Sequence, residues 1–270
     1  LELFSIEGKQ IALSGATGVL GRSLAIYFAG QGATVHLIAR NSAKLSQLHN
    51  LIIKGGGAAF MHIADVCSEI DFAQLSNEIE KNHPHLDALI NLAGGNLQGA
   101  IVQEDQSFTS LSIEASKEVM NLNYQGTLIP IKHLLPLLLK SEHPSIINVS
   151  SVAAEKPLSR VMGYSGAKAA IENLTKWLSA ELCQKHGEKI RVNAIAPGFF
   201  LSDQNRNLLL DEQGNLSFRG KKIIDHTPMG RFGNADDLHG AFHWLCSDAS
   251  AFVTGTTVKV DGGFSAFSGV

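Results

Sequence analysis

The sequence predicts an α/β protein built on a doubly wound parallel sheet of about seven strands, with helices on both faces. Three observations carry this. Apolar, β-rich runs alternate with amphipathic stretches along the whole 270 residues, and sustained strand–helix alternation implies a parallel sheet. Several runs are continuously apolar, as strands covered on both faces must be. Glycine is frequent at 26 residues and proline scarce at 7, without a collagen period, which suits many tight turns between regular elements.

The elements follow in order. Gln10–Ser14 reads as the first strand, and Gly21–Gln31 as the helix beyond its loop. Thr34–Ala39 and Lys44–Lys54 form the second strand–helix pair, and Ala58–Ile63 and Ile70–Lys81 the third. Ala88–Leu92 leads to a long helical stretch, Glu114–Leu139. Ser145–Ser150 precedes Tyr164–His186, Arg191–Ile195 precedes Asp236–Ser247, and Thr257–Val260 is the last strand. Short β-rich apolar runs are assigned as strands, and longer stretches with one apolar face as helices. No linker, internal repeat or charge block divides the chain, so a single domain over 1–270 is expected, with a substrate lid at about 199–233.

Composition excludes several classes. Hydrophobic residues at 44% and charged residues at 17% give material for a full core and too little charge for disorder. A net charge of −3 offers no general attraction to nucleic acid or to an anionic membrane. Cys67, Cys183 and Cys246 are far apart and form no CxxC pair, so a reducing, cytoplasmic setting is expected rather than a disulfide framework or structural zinc. The longest apolar patch, Leu134–Leu139, is broken by Pro136 and falls well short of the roughly 18 residues of a membrane span. The start, LELFSIEGKQ, lacks a secretory leader's basic-then-apolar layout. It also lacks Met, so a few preceding residues are expected. His83 and His85 flank Pro84 in a loop expected to be exposed, no HExxH occurs, and no catalytic metal is expected.

Ligands of such sheets bind where the winding reverses, at the carboxyl ends of the strands. The first strand runs into Ser14-Gly15-Ala16-Thr17-Gly18-Val19-Leu20-Gly21. Gly15, Gly18 and Gly21 permit a tight turn, close approach to a pyrophosphate and close helix packing, and the helix start supplies N–H groups for phosphate. This makes the fold Rossmann-type and the loop, with Thr17, Val19 and Leu20, a candidate nucleotide cradle. A purely structural βα turn is the alternative.

The second strand ends Ala39-Arg40-Asn41, where an NAD-preferring fold usually places an acid. A guanidinium suits a 2′-phosphate, so Arg40 tilts the expectation toward NADP over NAD, against an exposed arginine with no such role. Asp65, followed by Val66, could accept from an adenine amino group or cap the next helix. Asn91-Leu92-Ala93-Gly94-Gly95-Asn96 would let backbone lie against a cofactor and bring Asn96 toward a substrate.

Tyr164 and Lys168 lie four apart, on one helix face. Ser150-Ser151 ends the fifth strand, toward the same crevice. Reduction of a carbonyl needs a hydride and a proton. A phenol normally titrates near pH ~10, and a neighbouring ammonium and an oxidised nicotinamide should lower that value. A serine hydroxyl can hold the substrate oxygen. A surface Tyr–Lys pair is the competing reading.

Taken together, SGATGVLG, Asp65, Asn91-Leu92-Ala93-Gly94, Asn123 in NLNYQG, Ser151, YSGAK, RVNAIAPG from Arg191, and Asp261-Gly262-Gly263 resemble the short-chain dehydrogenase/reductase family over nearly the whole chain. The resemblance implies a tetrad of Asn123, Ser151, Tyr164 and Lys168. Asn123 would bend its helix and hold a relay water, and Lys168 would also bind the nicotinamide ribose. Backbone at Pro197 and Gly198, with Ser202, would hold the carboxamide. It also implies a homotetramer packed through Glu114–Leu139, Tyr164–His186 and Phe264–Val270. One departure is the loop spacing SGxxGxxG, which places Val19 where this length class usually has a glycine.

The region from Phe199 to Gly233 is rich in Asn, Gln, Arg and Lys, which suggests a polar small-molecule substrate. Arg160, four residues before Tyr164, and Arg206 are candidates to grip a carboxylate. GFFLSDQNRNLL, TPMGRFG and VDGGFSAFSGV resemble the D-mannonate oxidoreductase (fructuronate reductase) subgroup, which implies an NAD-linked keto-sugar acid reductase. Arg206, Arg219, Lys221, Lys222 and Arg231 keep a 3-oxoacyl thioester open, as well as another polar ketone or polyol. A non-catalytic dinucleotide sensor is the alternative class.

Overall fold

The computed structural model describes residues 2–103, 105–202 and 205–269. Leu1, Glu104, the lid residues Asp203 and Gln204, and the tail residue Val270 lie outside the described residues. Seven parallel strands form one sheet in the order β3-β2-β1-β4-β5-β6-β7. The winding reverses between β1 and β4, and that crevice faces the strand ends carrying the motifs.

β1 (Gln10–Ser14) turns through the glycine loop into α1 (Val19–Gly30). β2 (Thr34–Ala39) leads to α2 (Ser42–Lys54), where the Asn41 side chain accepts from Lys44 N at 2.9 Å and so caps the helix. β3 (Ala58–Ile63) leads to α3 (Glu69–Asn82), capped by Ser68. β4 (Ala88–Asn91) precedes α4 (Ile113–Met120), a π-helical turn at Asn121–Gln125, and α5 (Gly126–Leu138). The expected Glu114–Leu139 helix is therefore two helices joined by a widened turn at Asn123, where the resemblance implies a bend. β5 (Ser145–Val149) is followed by α6 (Met162–His186), and β6 (Arg191–Pro197) runs two residues beyond the expected end. The segment from 205 to 233 contributes two short helices, α7 (Arg206–Leu209) and α8 (Phe218–Asp225). Leu209, Ile223 and Phe232 give it a small core of its own. α9 (His239–Cys246) and β7 (Thr257–Val260) complete the sheet.

Alternation along the buried strands splits the core in two. Leu13, Val35 and Leu37 pack with Leu24, Phe28, Leu45 and Phe242 under α1, α2 and α9. Ala12, Ile38 and Leu89 pack with Phe72, Ile79, Leu134 and Leu178 under α3, α5 and α6. Each such side chain contributes roughly 1.5–3 kcal/mol by leaving water, so the sheet is fixed and its carboxyl edge is a rigid platform. Among the described residues no helix is long and apolar enough to cross a membrane.

Several polar groups inside the core pair with one another. Asn91 Nδ2 donates to Asn148 Oδ1 at 2.9 Å, and Asn148 Nδ2 donates to Thr175 Oγ1 at 2.9 Å. His83, expected to be exposed, instead packs edge-on against His36 and Phe60, with ring centroids 4.7 and 4.4 Å away. His36 Nδ1 meets His62 Nε2 at 3.1 Å, His36 Nε2 meets Gln10 Oε1 at 3.1 Å, and Glu78 of α3 stands 3.4 Å from His62 Nδ1. Burial, then the neighbouring His62 and His83, pull His36 from 6.5 down to about 3.

The unfolded chain thus binds a proton near pH 6.5 that the folded chain refuses until about pH 3. Stability is full above the unfolded value and falls as pH drops through this window. Urea unfolding at pH 6.5 and pH 5 should show a loss of about 2 kcal/mol from this site, and His36→Gln should remove most of that slope. An unchanged slope in the variant would rule out His36 as its source.

Candidate active site

A cleft of about 890 Å³ opens at the strand ends. Its floor begins at the glycine loop. Gly15 has φ +72°, and a Cβ there would lie 2.8 Å from Ala93 N. A Cβ on Gly21 would lie 2.3 Å from Gly15 O, so Gly21 lets α1 pack on the loop. Gly18 is different: a Cβ would meet Gly15 O at 3.4 Å, an ordinary contact. It stands at the N-terminus of α1 without a side-chain cap, leaving the first N–H groups of the helix for a ligand. Thr17, Gly18, Val19 and Leu20 line the cleft, so the departure at Val19 leaves the cradle intact. An open cleft, a glycine-built floor and an uncapped helix start fit a dinucleotide.

Arg40 lines the same end, and so do Arg22 and Lys44, which sequence reasoning passed over because neither sits in a motif. Arg40 Nη1 is 3.5 Å from Asp65 Oδ2. With Arg40 70% exposed, such a pair holds it weakly. Asp65 Oδ1 accepts from Cys67 N at 2.9 Å, and the cap of α3 is Ser68 rather than Asp65. Val66, Ala93, Gly94, Pro197, Gly198 and Ser202 line the cleft. Asn91 does not: it is buried beneath, spent on Asn148. Gly21 and Asp65 likewise stay out of the lining.

The tetrad is assembled from three elements. The Asn123 side chain clasps the backbone of one residue, with Oδ1 accepting from Gly95 N at 3.2 Å and Nδ2 donating to Gly95 O at 2.7 Å. Nδ2 also donates to Val119 O at 2.8 Å, inside the π-turn that widens the helix here. Ser14 Oγ accepts from Leu92 N and Ala93 N at 3.2 and 3.3 Å, bracing the same loop to β1. Ser151 Oγ accepts from Ala153 N at 3.2 Å, and its hydroxyl faces the Tyr164 phenol, where it favours the ionised form. Lys168, 4% exposed, donates to Val149 O at 2.7 Å, with its Nζ 5.5 Å from the Tyr164 ring centre.

The electrostatics correct one expectation. Burial raises the Tyr164 phenol, and the Ser151 hydroxyl only partly opposes it. Burial also pulls Lys168 down to about 7. The lysine alone therefore does not bring the phenol toward neutrality. A phenol kept protonated is the form that donates to a carbonyl oxygen. An oxidised nicotinamide held beside Tyr164 and Lys168 would supply the further positive charge that lowers the phenol, and its chemistry there would be hydride exchange with the substrate carbon.

Substrate expectations divide. Asn96 lines the cleft; its Oδ1 accepts from Leu97 N at 3.0 Å, while Nδ2 is buried without a partner. Arg160 does not line the cleft. It precedes α6, has a left-handed φ of 77°, and turns its guanidinium to Gln103 Oε1. Arg206 is exposed on α7 and also lies outside the lining. Asn205 replaces it at the cleft wall: its Oδ1 accepts from Ser202 N at 2.8 Å and its Nδ2 donates to Phe200 O at 2.7 Å.

A Cβ on Gly94 would fall 2.6 Å from Asn123 Oδ1 and 3.4 Å from Lys168 Nζ. Gly94→Ala should therefore misplace this end of the tetrad and lower kcat/KM by about 10²-fold while leaving the melting transition cooperative. Wild-type kinetics in that variant would contradict the close packing described.

Comparison with known proteins agrees with this geometry. The family described as Enoyl-(Acyl carrier protein) reductase matches residues 15–265. Dehydrogenase/reductase SDR family member 6 of Rattus norvegicus is 34% identical over 263 residues, covering 96% of this chain and 98% of its own. A Haemophilus influenzae structure described as a D-mannonate oxidoreductase with bound NAD is 40% identical, covers 98% of both chains and has a TM-score of 0.91. A gluconate 5-dehydrogenase of Burkholderia cenocepacia in complex with NADP and tartrate is 28% identical, with 98% coverage of both chains and a TM-score of 0.86. The chain belongs to the short-chain dehydrogenase/reductase family of NAD(P)-dependent oxidoreductases.

Proposed function

We propose that this enzyme reduces a polar keto-sugar acid, D-fructuronate, to D-mannonate, with Tyr164 donating the proton and Ser151 holding the substrate oxygen. The observation that carries the reading is the hydroxyl pair Ser151–Tyr164 at the mouth of a cleft whose substrate end is walled by Asn96, Ser202 and Asn205. The unpartnered Asn96 Nδ2 is a donor in search of an acceptor, and a buried donor left unpaired costs about 1–3 kcal/mol. A sugar hydroxyl or carboxylate offers that acceptor; a plain acyl chain does not. The related structure described as a D-mannonate oxidoreductase supports the same substrate. With Arg160 and Arg206 outside the cleft, carboxylate recognition falls to neutral donors and backbone. Another polar ketone or polyol is the second reading, favoured by that absence of a lining guanidinium at the substrate end among the described residues.

On this reading Asn123 ties the relay to Lys168, Lys168 reaches the nicotinamide ribose, and Pro197, Gly198 and Ser202 hold the carboxamide. Arg40, with Arg22 and Lys44, favours NADP through a 2′-phosphate. A homotetramer through α4–α5 and α6 is part of the proposal, supported by Met120 and Trp177, 40% and 59% exposed.

D-fructuronate assayed with NADH and NADPH side by side should turn over, faster with NADPH at low cofactor. Arg40→Ala should raise the KM for NADPH about ten- to a hundredfold, the loss of one hydrogen bond to a charged group, and leave the KM for NADH unchanged. Equal effects on both cofactors would remove Arg40 as a phosphate reader. Tyr164→Phe should keep cofactor affinity and lose about 10²- to 10⁴-fold in kcat. Near-normal turnover would end the proposed role of Tyr164.

A further inference from the structure

Three consecutive residues at the end of β5 each meet α6, one helical turn apart. The Ser151 hydroxyl faces Tyr164, Val149 O accepts from Lys168 Nζ at 2.7 Å, and Ser150 Oγ donates to Glu172 Oε1 at 2.7 Å. Positions 164, 168 and 172 lie on one helix face. The first two contacts belong to the tetrad; the third has no place in it. Yet Ser150 and Glu172 are 1% and 7% exposed, and Ser150 lines the cleft. A buried carboxylate is costly unless it is hydrogen-bonded, and here the partner is the residue next to the candidate catalytic serine. Ser150 Oγ also lies 3.4 Å from Lys168 O, and Ser150 N donates to Ile195 O at 2.8 Å, so the residue joins β5, β6 and α6.

We propose that Glu172 is a positioning residue: through Ser150 it fixes the end of β5 against α6 and so sets where Ser151 stands against Tyr164. The inference rests on the reading of Ser151 and Tyr164 as the reacting pair. The groups facing Glu172 fit a held carboxylate. Glu155, from the loop after Ser151, pairs with Lys259 of β7 at 2.5 Å, and Lys176 lies one turn further along α6. The two lysines balance the two carboxylates across the three segments that meet here.

The test compares Glu172→Leu, Glu172→Gln and Ser150→Ala with the wild type and Tyr164→Phe. Leucine removes the acceptor; glutamine keeps an acceptor oxygen and drops the charge. Glu172→Leu should lower kcat by about tenfold or more, on the scale of a misplaced reacting group, with the KM for cofactor unchanged. Glu172→Gln should restore most of that loss, and Ser150→Ala should reproduce it should the leucine variant fail to fold. A second readout needs no substrate. Ultraviolet titration of the phenol, taken as the difference from Tyr164→Phe, should move to higher pH in Glu172→Leu, because the Ser151 contact that lowers it is weakened. It should return in Glu172→Gln. An unmoved titration with wild-type kcat in Glu172→Leu would overturn the proposal, as would a glutamine variant as impaired as the leucine one. If the wild type leaves D-fructuronate untouched, the substrate assignment fails and the titration still decides the role of Glu172.

Discussion

The active site depends on one buried cation. Lys168 is 4% exposed and, among the described residues, its ammonium makes no ion pair; Val149 O accepts its hydrogen bond. Such a group holds its charge only where backbone carbonyls and a cofactor ribose can replace the lost water. Its fall to about 7 measures that shortage. Much of the surrounding architecture keeps this cation in place. Gly94 leaves room for its Nζ, Asn123 clasps the Gly95 backbone beside it, and the end of β5 offers it a carbonyl. The π-turn at Asn121–Gln125 brings Asn123 to that position.

The same burial governs the phenol. Tyr164 is pushed up, not down, in the protein alone, so its resting state is a proton donor. The protein contributes shape and a serine hydroxyl, and a bound oxidised nicotinamide would supply the final lowering of the phenol. That division suits an enzyme whose proton and hydride must move together: neither half of the chemistry is set until both ligands are present.

Several strands were legible because their residues are apolar on both faces, as a parallel sheet covered by helices requires; the edge strands β3 and β7 were legible from their short β-rich runs. Their ends shifted by one or two residues, as at Pro197, since pairing with β7 extends β6 beyond its apolar run. The spacing of the glycine loop and of Tyr164 and Lys168 was visible in the sequence but left a structural turn and a surface pair open; the structure adds that both border one cleft. The π-turn was legible only as the bend that the family resemblance implies at Asn123, because NLNYQG reads locally as helix. Arg160 sits in the loop before α6, as expected, but its left-handed backbone sends the guanidinium to Gln103 rather than into the cleft. Glu172 was open to discovery: it continues the Tyr164–Lys168 spacing by one more turn, and a carboxylate on that inward face carries a signal. The His36–His62–His83 cluster was not, since three residues from separate segments meet through strand register.

The central claim is direct hydride transfer to a carbonyl in the Ser151–Tyr164 cleft, with Tyr164 supplying the proton. Deuterium carried at the reactive carbon of the reduced nicotinamide tests it most directly. Mass spectrometry of the D-mannonate formed should show one deuterium retained on the new carbinol carbon, and the Tyr164→Phe protein should yield almost none of that product. Product lacking deuterium, or labelled product formed equally well without the Tyr164 hydroxyl, would contradict the account.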